Sequence, residues 1–105
     1  MTELSLAGFV GLSAALLGIG LFGILTRRNF ILLLIAIEIA MNSAILNFVY
    51  FAAYAGTGGG LSAQSAAVVV TGLAATEVAV GLAIVLALNR QRGSINVAEA
   101  MELKL

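Results

Sequence analysis

The 105-residue sequence has no histidine, cysteine, proline or tryptophan. Without cysteine and histidine it lacks the side chains that most zinc and iron sites and many nucleophilic active sites require. Its five basic and five acidic residues give a net charge of zero, so it offers no excess of positive charge to neutralise phosphates. We therefore expect no nucleic-acid partner, no metal or cofactor held by this chain, and no independent enzymatic activity.

The sequence does have an excess of apolar residues. They make up 62 % of the chain, and the mean hydropathy of +1.15 is far above that of a soluble domain. Each of three long apolar runs suffices to cross a ~30 Å hydrocarbon layer at a rise of 1.5 Å per residue. The sequence predicts an all-α membrane protein with a single domain over residues 1–105. Its transmembrane helices are expected at about residues 4–25, 30–54 and 64–89.

Short polar segments connect the three predicted spans. Residues 26–29 form a tight turn containing Arg27 and Arg28, whereas residues 56–63 form a glycine-rich, uncharged loop. A short tail over residues 93–105 mixes charged and apolar residues. It is expected either to dock on a partner or the membrane surface, or to fray.

Basic residues near the helix ends predict the orientation of the chain. Arg27 and Arg28 lie in the first loop, and Arg90 and Arg92 follow the third span. Basic loops stay on the cytoplasmic side of a membrane. The amino terminus is therefore expected outside and the carboxyl terminus in the cytoplasm.

Two carboxylates lie at membrane depth. Glu38 is about eight residues into the second span, and Glu77 is near the middle of the third. A charged side chain there costs about 2.5 to 3.5 kcal/mol, so such residues usually face a bundle interior or a water-filled cavity. Asn42 follows Glu38 by one helical turn and shares its face. We expect both glutamates to be buried and to relay protons, supported by Asn42, Arg27 and Arg28.

Simpler structural roles remain open for several of these residues. A protonated glutamate can act only as hydrogen-bonding glue between helices, and loop arginines can serve topology alone. Glycines of the first span are predicted to allow close helix packing. These glycines are Gly8, Gly11, Gly18, Gly20 and Gly23.

Several segments together resemble a known family. They are Arg27-Arg28-Asn29, Ile37-Glu38 with Asn42, residues 74–84 (AATEVAVGLAI), Ile95-Asn96-Val97 and Leu103-Lys104. Nearly the whole chain is similar to the NuoK family, the small three-helix (4L-type) membrane subunit of complex I, the proton-pumping NADH:quinone oxidoreductase. Residues 74–84, which carry Glu77, are the most specific element of this resemblance.

The resemblance implies a non-redox subunit of a translocase in a bacterial-type plasma membrane. Glu38 and Glu77 match the two membrane glutamates of the family, and Arg27 and Arg28 match its basic cytoplasmic loop. The implied partners are quinone-proximal subunits, an antiporter-like subunit and the lipid bilayer. Flavin, iron-sulfur clusters and quinone chemistry would belong to other subunits.

Three alternatives share the three-helix plan. Two are the homologous small subunits of a multi-subunit Na+/H+ antiporter and of a membrane-bound hydrogenase. Such antiporter subunits tend to lack the carboxylate of the third helix, so Glu77 favours complex I. The third alternative is a purely structural assembly subunit, which leaves the two acids without a function.

Overall fold

The computed structural model describes residues 3–54, 60–92 and 96–98. These contain three helices, α1 (Glu3–Thr26), α2 (Phe30–Tyr54) and α3 (Gly60–Arg92). Each helix is long and apolar enough to cross a membrane. The prediction of an all-α chain with three membrane-spanning helices is confirmed.

The third helix extends beyond the predicted apolar span at both ends. It begins at Gly60, so residues 60–63, which were predicted as loop, form its first turn. Ser65 supports this turn by donating its hydroxyl hydrogen to the Leu61 carbonyl at 2.9 Å. Hydropathy marks only the apolar part of a helix, whereas the backbone hydrogen-bond ladder continues into the polar flanks. The rest of the predicted loop, residues 56–58 and Gly59, lies outside the described residues.

The central helix is α2, which packs against both α1 and α3. The contact with α1 is built from very small residues. A Cβ atom placed on Gly20 would lie 2.7 Å from the Ala40 Cβ and 2.8 Å from the Ala40 nitrogen, and one on Gly23 would lie 2.7 Å from the Ala36 Cβ. Gly20 and Gly23 therefore allow the backbones of α1 and α2 to approach closely.

The remaining glycines of α1 do not serve this contact. A Cβ atom on Gly8, Gly11 or Gly18 would meet nothing within 4 Å. The prediction that these three glycines allow close packing is therefore wrong within this chain, because they lie on the side of α1 that faces away from α2. At 100° per residue, Gly11 and Gly18 are turned about 180° and 160° from Gly20.

The contact between α2 and α3 is also close. The side chain of Leu34 occupies the space that a Cβ atom on Gly81 would fill. Ala67, Ala74 and Val85 are buried along α3. The core of the chain is thus a thin seam on each side of α2, and most large apolar side chains point outwards, as expected for a protein whose solvent is lipid.

The first loop and the start of the tail lie together at one end of the molecule. Asn29 begins α2 as its cap, since its side-chain oxygen accepts hydrogen bonds from the amides of Ile31 at 2.9 Å and Leu32 at 3.3 Å. The Val97 amide donates to the Arg28 carbonyl at 2.7 Å, and Asn29 and Asn96 form an isolated antiparallel bridge. Residues 93–95 and 99–105 of the predicted tail lie outside the described residues.

An aromatic cluster lies towards the opposite end of α1 and α2. The ring of Tyr50 is centred 4.9 Å from that of Phe9, 5.0 Å from Tyr54 and 5.6 Å from Phe51. Tyrosine is enriched where a helix leaves the hydrocarbon layer. The two ends of this pair of helices are therefore chemically different, with arginines at one and tyrosines at the other.

Candidate functional site

Glu38 lies in a groove between α2 and α3. The groove holds about 220 Å³, and its lining surface is apolar even where Glu38 contributes to it. The other residues lining it are apolar: Ile31, Leu34, Ile35, Ile39, Val78 and Leu82. Glu38 is half-buried, and its Oε1 atom is shielded from solvent without a hydrogen-bond partner among the described residues.

Glu77 lies in a second groove between the same two helices. This groove holds about 540 Å³ and is lined by Leu34, Ile37, Leu73, Thr76, Val80, Gly81 and Ile84 as well as Glu77. The Thr76 hydroxyl is turned to its own helix, where it donates to the Gly72 carbonyl at 2.9 Å. Glu77 is exposed on the surface of the chain. Burial of Glu77 within this chain, which its depth suggested, is therefore not what the structure shows, because hydropathy measures depth along a helix and not the side it faces.

The two grooves open on opposite sides of the α2–α3 pair. Leu34 lines both of them and packs on Gly81, so its side chain stands between the two openings. On α2, Glu38 and Ile37 are turned 100° apart and flank the seam that faces α3. Glu38 and Glu77 thus lie on opposite sides of the contact between α2 and α3.

The two glutamates nevertheless lie at the same depth. The helices run antiparallel, and Leu34 of α2 meets Gly81 of α3. Glu38 is four residues further along α2, and Glu77 is four residues back along α3. Both steps are about 6 Å in the same direction, so the two carboxyl groups are level.

Among the described residues, the predicted supporting residues make no hydrogen bond or ion pair with either glutamate. Asn42 is exposed one turn from Glu38, and the described residues contain no hydrogen bond between their side chains. Arg27 and Arg28 are exposed in the first loop. Arg28 is ten residues from Glu38, which corresponds to about 15 Å along the helix axis. A role for Arg27 and Arg28 would therefore be exerted through the loop and not by direct contact with a carboxylate.

A polar cluster that was not predicted links α1 to α2. The Asn47 amide donates to the Ser13 hydroxyl oxygen at 2.8 Å, and the Ser13 hydroxyl donates to the Ser43 carbonyl at 2.9 Å. Ser13 lies seven residues before Gly20 and so shares its face of α1. That spacing is the signal in the sequence that could have placed Ser13 at the helix interface.

Glu38 and Glu77 are the acidic residues that line the two grooves between α2 and α3. Within residues 3–54, 60–92 and 96–98 there is no group of three or more aspartate, glutamate, histidine or cysteine residues that could hold a metal ion. Each glutamate instead stands singly among apolar residues along its groove.

Comparison with known proteins adds a second line of support. A family profile described as NADH-ubiquinone/plastoquinone oxidoreductase chain 4L matches residues 9–104. The "NADH-quinone oxidoreductase subunit K" of Anaeromyxobacter sp. (strain K) is 45 % identical over 91 residues, covering 87 % of this chain and 89 % of the relative. Subunit K 1 of Syntrophobacter fumaroxidans is 42 % identical, covering 95 % and 97 % of the two chains. Subunit K of Geobacillus sp. (strain WCH70) is 39 % identical, covering 99 % of each.

Proposed function

The chain belongs to the family of NADH-ubiquinone/plastoquinone oxidoreductase chain 4L, and from that premise we propose that Glu38 and Glu77 relay protons through it. It is a membrane subunit of complex I and a multi-pass protein of the plasma membrane, with other subunits of the complex as partners. The observation that carries the proposal is the placement of two carboxyl groups at one depth on opposite sides of the α2–α3 pair.

The proposed step is proton exchange without any other change in bonding. A protonated glutamate gives its proton to water or to a polar group of a neighbouring subunit, and the carboxylate left behind takes up another proton from the opposite direction. Because Leu34 stands between the grooves, the route between Glu38 and Glu77 passes around this apolar contact through water or partner side chains. Two carboxyl groups in a medium of low dielectric constant influence each other strongly, so a charge change at one alters the proton affinity of the other.

Each groove would receive a different neighbour. We assign one side of the chain to the quinone-proximal subunits and the other to an antiporter-like subunit, since the two carboxyl groups face apart. Glu77 is exposed in the chain alone, and a glutamate at that depth is expected to face protein or water and not lipid. A partner helix that covers this groove would supply that environment.

The chain would contribute no redox chemistry of its own. Flavin, iron-sulfur clusters and quinone would be held by other subunits, and this chain would be a non-redox part of the translocase. Its residues would respond to charge that moves in the quinone-proximal neighbour. The relatives described above carry the name of complex I subunits, whereas the antiporter and hydrogenase alternatives would predict other names.

We place the amino terminus outside and the tail in the cytoplasm. Arg27 and Arg28 lie at the same end of the molecule as Val97, because the Val97 amide bonds to the Arg28 carbonyl. The tyrosines of α2 lie at the other end. Basic residues on the cytoplasmic side support this orientation.

The test is proton pumping measured beside quinone reduction in membranes that carry Glu38→Gln or Glu77→Gln. Glutamine keeps the shape of the side chain and removes the titratable proton. Assembly of complex I is verified on a native gel, and Glu3→Gln, at the first residue of α1, is the matched control. We expect both activities to collapse in the two membrane variants while the complex stays assembled. Full activity in both variants would instead identify the glutamates as packing residues of an assembly subunit.

A further inference from the structure

A buried polar cluster joins α1 to α2 on the side of α2 that faces away from the Glu38 groove. The Asn47 amide donates to the Ser13 hydroxyl at 2.8 Å, the Ser13 hydroxyl donates to the Ser43 carbonyl at 2.9 Å, and the Ser43 hydroxyl donates to the Ala40 carbonyl at 2.6 Å. Ser13 and Ser43 are only 6 % and 5 % exposed. The Ser13 and Ser43 side chains are therefore enclosed at membrane depth and each donates to a backbone carbonyl, while the half-buried Asn47 donates to the Ser13 hydroxyl.

This cluster is the directional part of the α1–α2 contact. Elsewhere the two helices meet through small apolar residues such as Gly20, Gly23 and Ala36, whose packing holds the helices close but is not directional. Among the described residues, the side-chain hydrogen bonds between α1 and α2 are those that Ser13 makes with Asn47 and Ser43. A hydrogen bond weakens steeply when its angle changes, so these bonds specify how α2 is turned about its own axis.

The rotation of α2 decides where Glu38 points. Asn47 follows Glu38 by nine residues, which is 2.5 turns of an α-helix, so the two side chains leave α2 in opposite directions. When Asn47 is bonded to Ser13 on the α1 side, Glu38 lies on the side of α2 that lines the groove beside α3. A turn of α2 that breaks the bond between Asn47 and Ser13 also moves the Glu38 side chain away from its groove beside α3.

We propose that Ser13 and Asn47 form a positioning pair that sets the rotation of α2 and so keeps the Glu38 side chain on the side of α2 that lines the groove with α3. The pair touches neither glutamate and acts only through the helix. This inference rests on the proposed proton relay, because it assigns the pair a role in the activity of Glu38. It also makes a claim about helix orientation that can be tested without the relay.

The first test exchanges the residues Ser13 and Asn47 in complex I that is assembled in membranes. Asn47→Leu and Ser13→Ala each remove the bond, whereas the double variant Ser13→Asn with Asn47→Ser moves the amide to the other helix. Ser65→Ala is the matched control, since its hydroxyl bonds only to the Leu61 carbonyl of its own helix. We expect proton pumping per assembled complex to fall about three- to fifteenfold in the single variants. It should recover to within about twofold in the exchanged pair and stay unchanged in the control.

The second test reads the rotation of α2 directly. Because the chain has no cysteine of its own, a thiol cross-link within it can form only between two introduced cysteines. Ile35→Cys with Val78→Cys reports on the Glu38 groove, and Ile37→Cys with Val80→Cys reports on the Glu77 groove. In the Asn47→Leu background we expect the ratio of the first cross-link yield to the second to fall severalfold.

The outcomes separate this proposal from the relay. An unchanged cross-link ratio overturns the positioning role, as does a loss of pumping that only follows a loss of assembled complex. A changed ratio with full pumping supports the orientation role and overturns the relay function of Glu38. A changed ratio with reduced pumping and recovery in the exchanged pair supports both.

Discussion

Leu34 and Gly81 hold α2 and α3 together at the point that separates the two glutamate grooves. The Leu34 side chain fills the space beside Gly81 that any Cβ atom would occupy. It also lines both the Glu38 groove and the Glu77 groove. The contact therefore fixes how far α2 is shifted along α3, which brings the two carboxyl groups to the same depth. It also separates them onto opposite sides of the α2–α3 pair.

The loss of stability caused by a methyl group at position 81 should be compensated by a smaller side chain at position 34. We expect Gly81→Ala to lower the stability of the purified chain in detergent by about 1 kcal/mol, because the flexible end of Leu34 must shift. Leu34→Ala, which leaves a cavity, should also destabilise it. The double variant should be more stable than the sum of the two changes predicts, by at least about 0.5 kcal/mol. Thermal unfolding followed by circular dichroism measures all three, and additive effects would show that the two residues are not in contact.

Gly20 should tolerate no side chain, whereas Gly18 should tolerate one. A Cβ atom on Gly20 would lie 2.8 Å from the Ala40 nitrogen and 2.9 Å from the Ala36 oxygen, and backbone atoms cannot move aside without parting the helices. We expect Gly20→Ala to cost about 1 to 3 kcal/mol in the same unfolding measurement. Gly18→Ala, with nothing within 4 Å, is the control and should lie within about 0.5 kcal/mol of the natural chain. Equal losses in both variants would contradict the α1–α2 packing described here.

Asn29 should be replaceable only by another capping residue. Its side-chain oxygen accepts from the Ile31 and Leu32 amides, so Asn29→Ala should destabilise α2 by about 0.5 to 2 kcal/mol. Asn29→Asp keeps the acceptor and should retain most of the stability. Amide hydrogen exchange at Ile31 is the measurement, and it should quicken in the alanine variant alone. Equally fast exchange in both variants would argue against a cap at this position.

Moving the carboxyl group along α2 should show whether proton pumping requires it on one particular face of the helix or only somewhere in the helix. Ile35 lines the groove of Glu38, whereas Ile37 lines that of Glu77. We expect Glu38→Gln to reduce proton pumping on the order of tenfold or more. Adding Ile35→Glu should restore part of it, because the new carboxyl group enters the same groove one turn away. Adding Ile37→Glu should not, since both carboxyl groups then face one side, and equal recovery in the two double variants would refute the requirement for opposite faces.

The span positions and the identity of the acids were predictable because both depend on local composition. A run of apolar residues sets the length that can cross a bilayer, and the second span was predicted with the bounds that α2 has, Phe30–Tyr54. Glu38 and Glu77 were found because a carboxylate in such a run is rare and costly. The first turn of α3 was missed because Gly60 ends a run of glycines that predicts a loop, and residues 60–63 are not apolar enough to belong to the span.

The sequence by itself determined that this chain crosses a membrane three times, at what depth its two glutamates lie and which family it resembles. Only the tertiary structure decided which side each residue faces. All three helices are apolar all round, so no polar face marks which side of each helix lies against its neighbours. Contacts between the helices fix how each helix is turned about its own axis. These contacts are Gly20 against Ala40, Leu34 against Gly81 and Ser13 with Asn47. For this reason the opposite faces of Glu38 and Glu77 became visible only when the helices were packed.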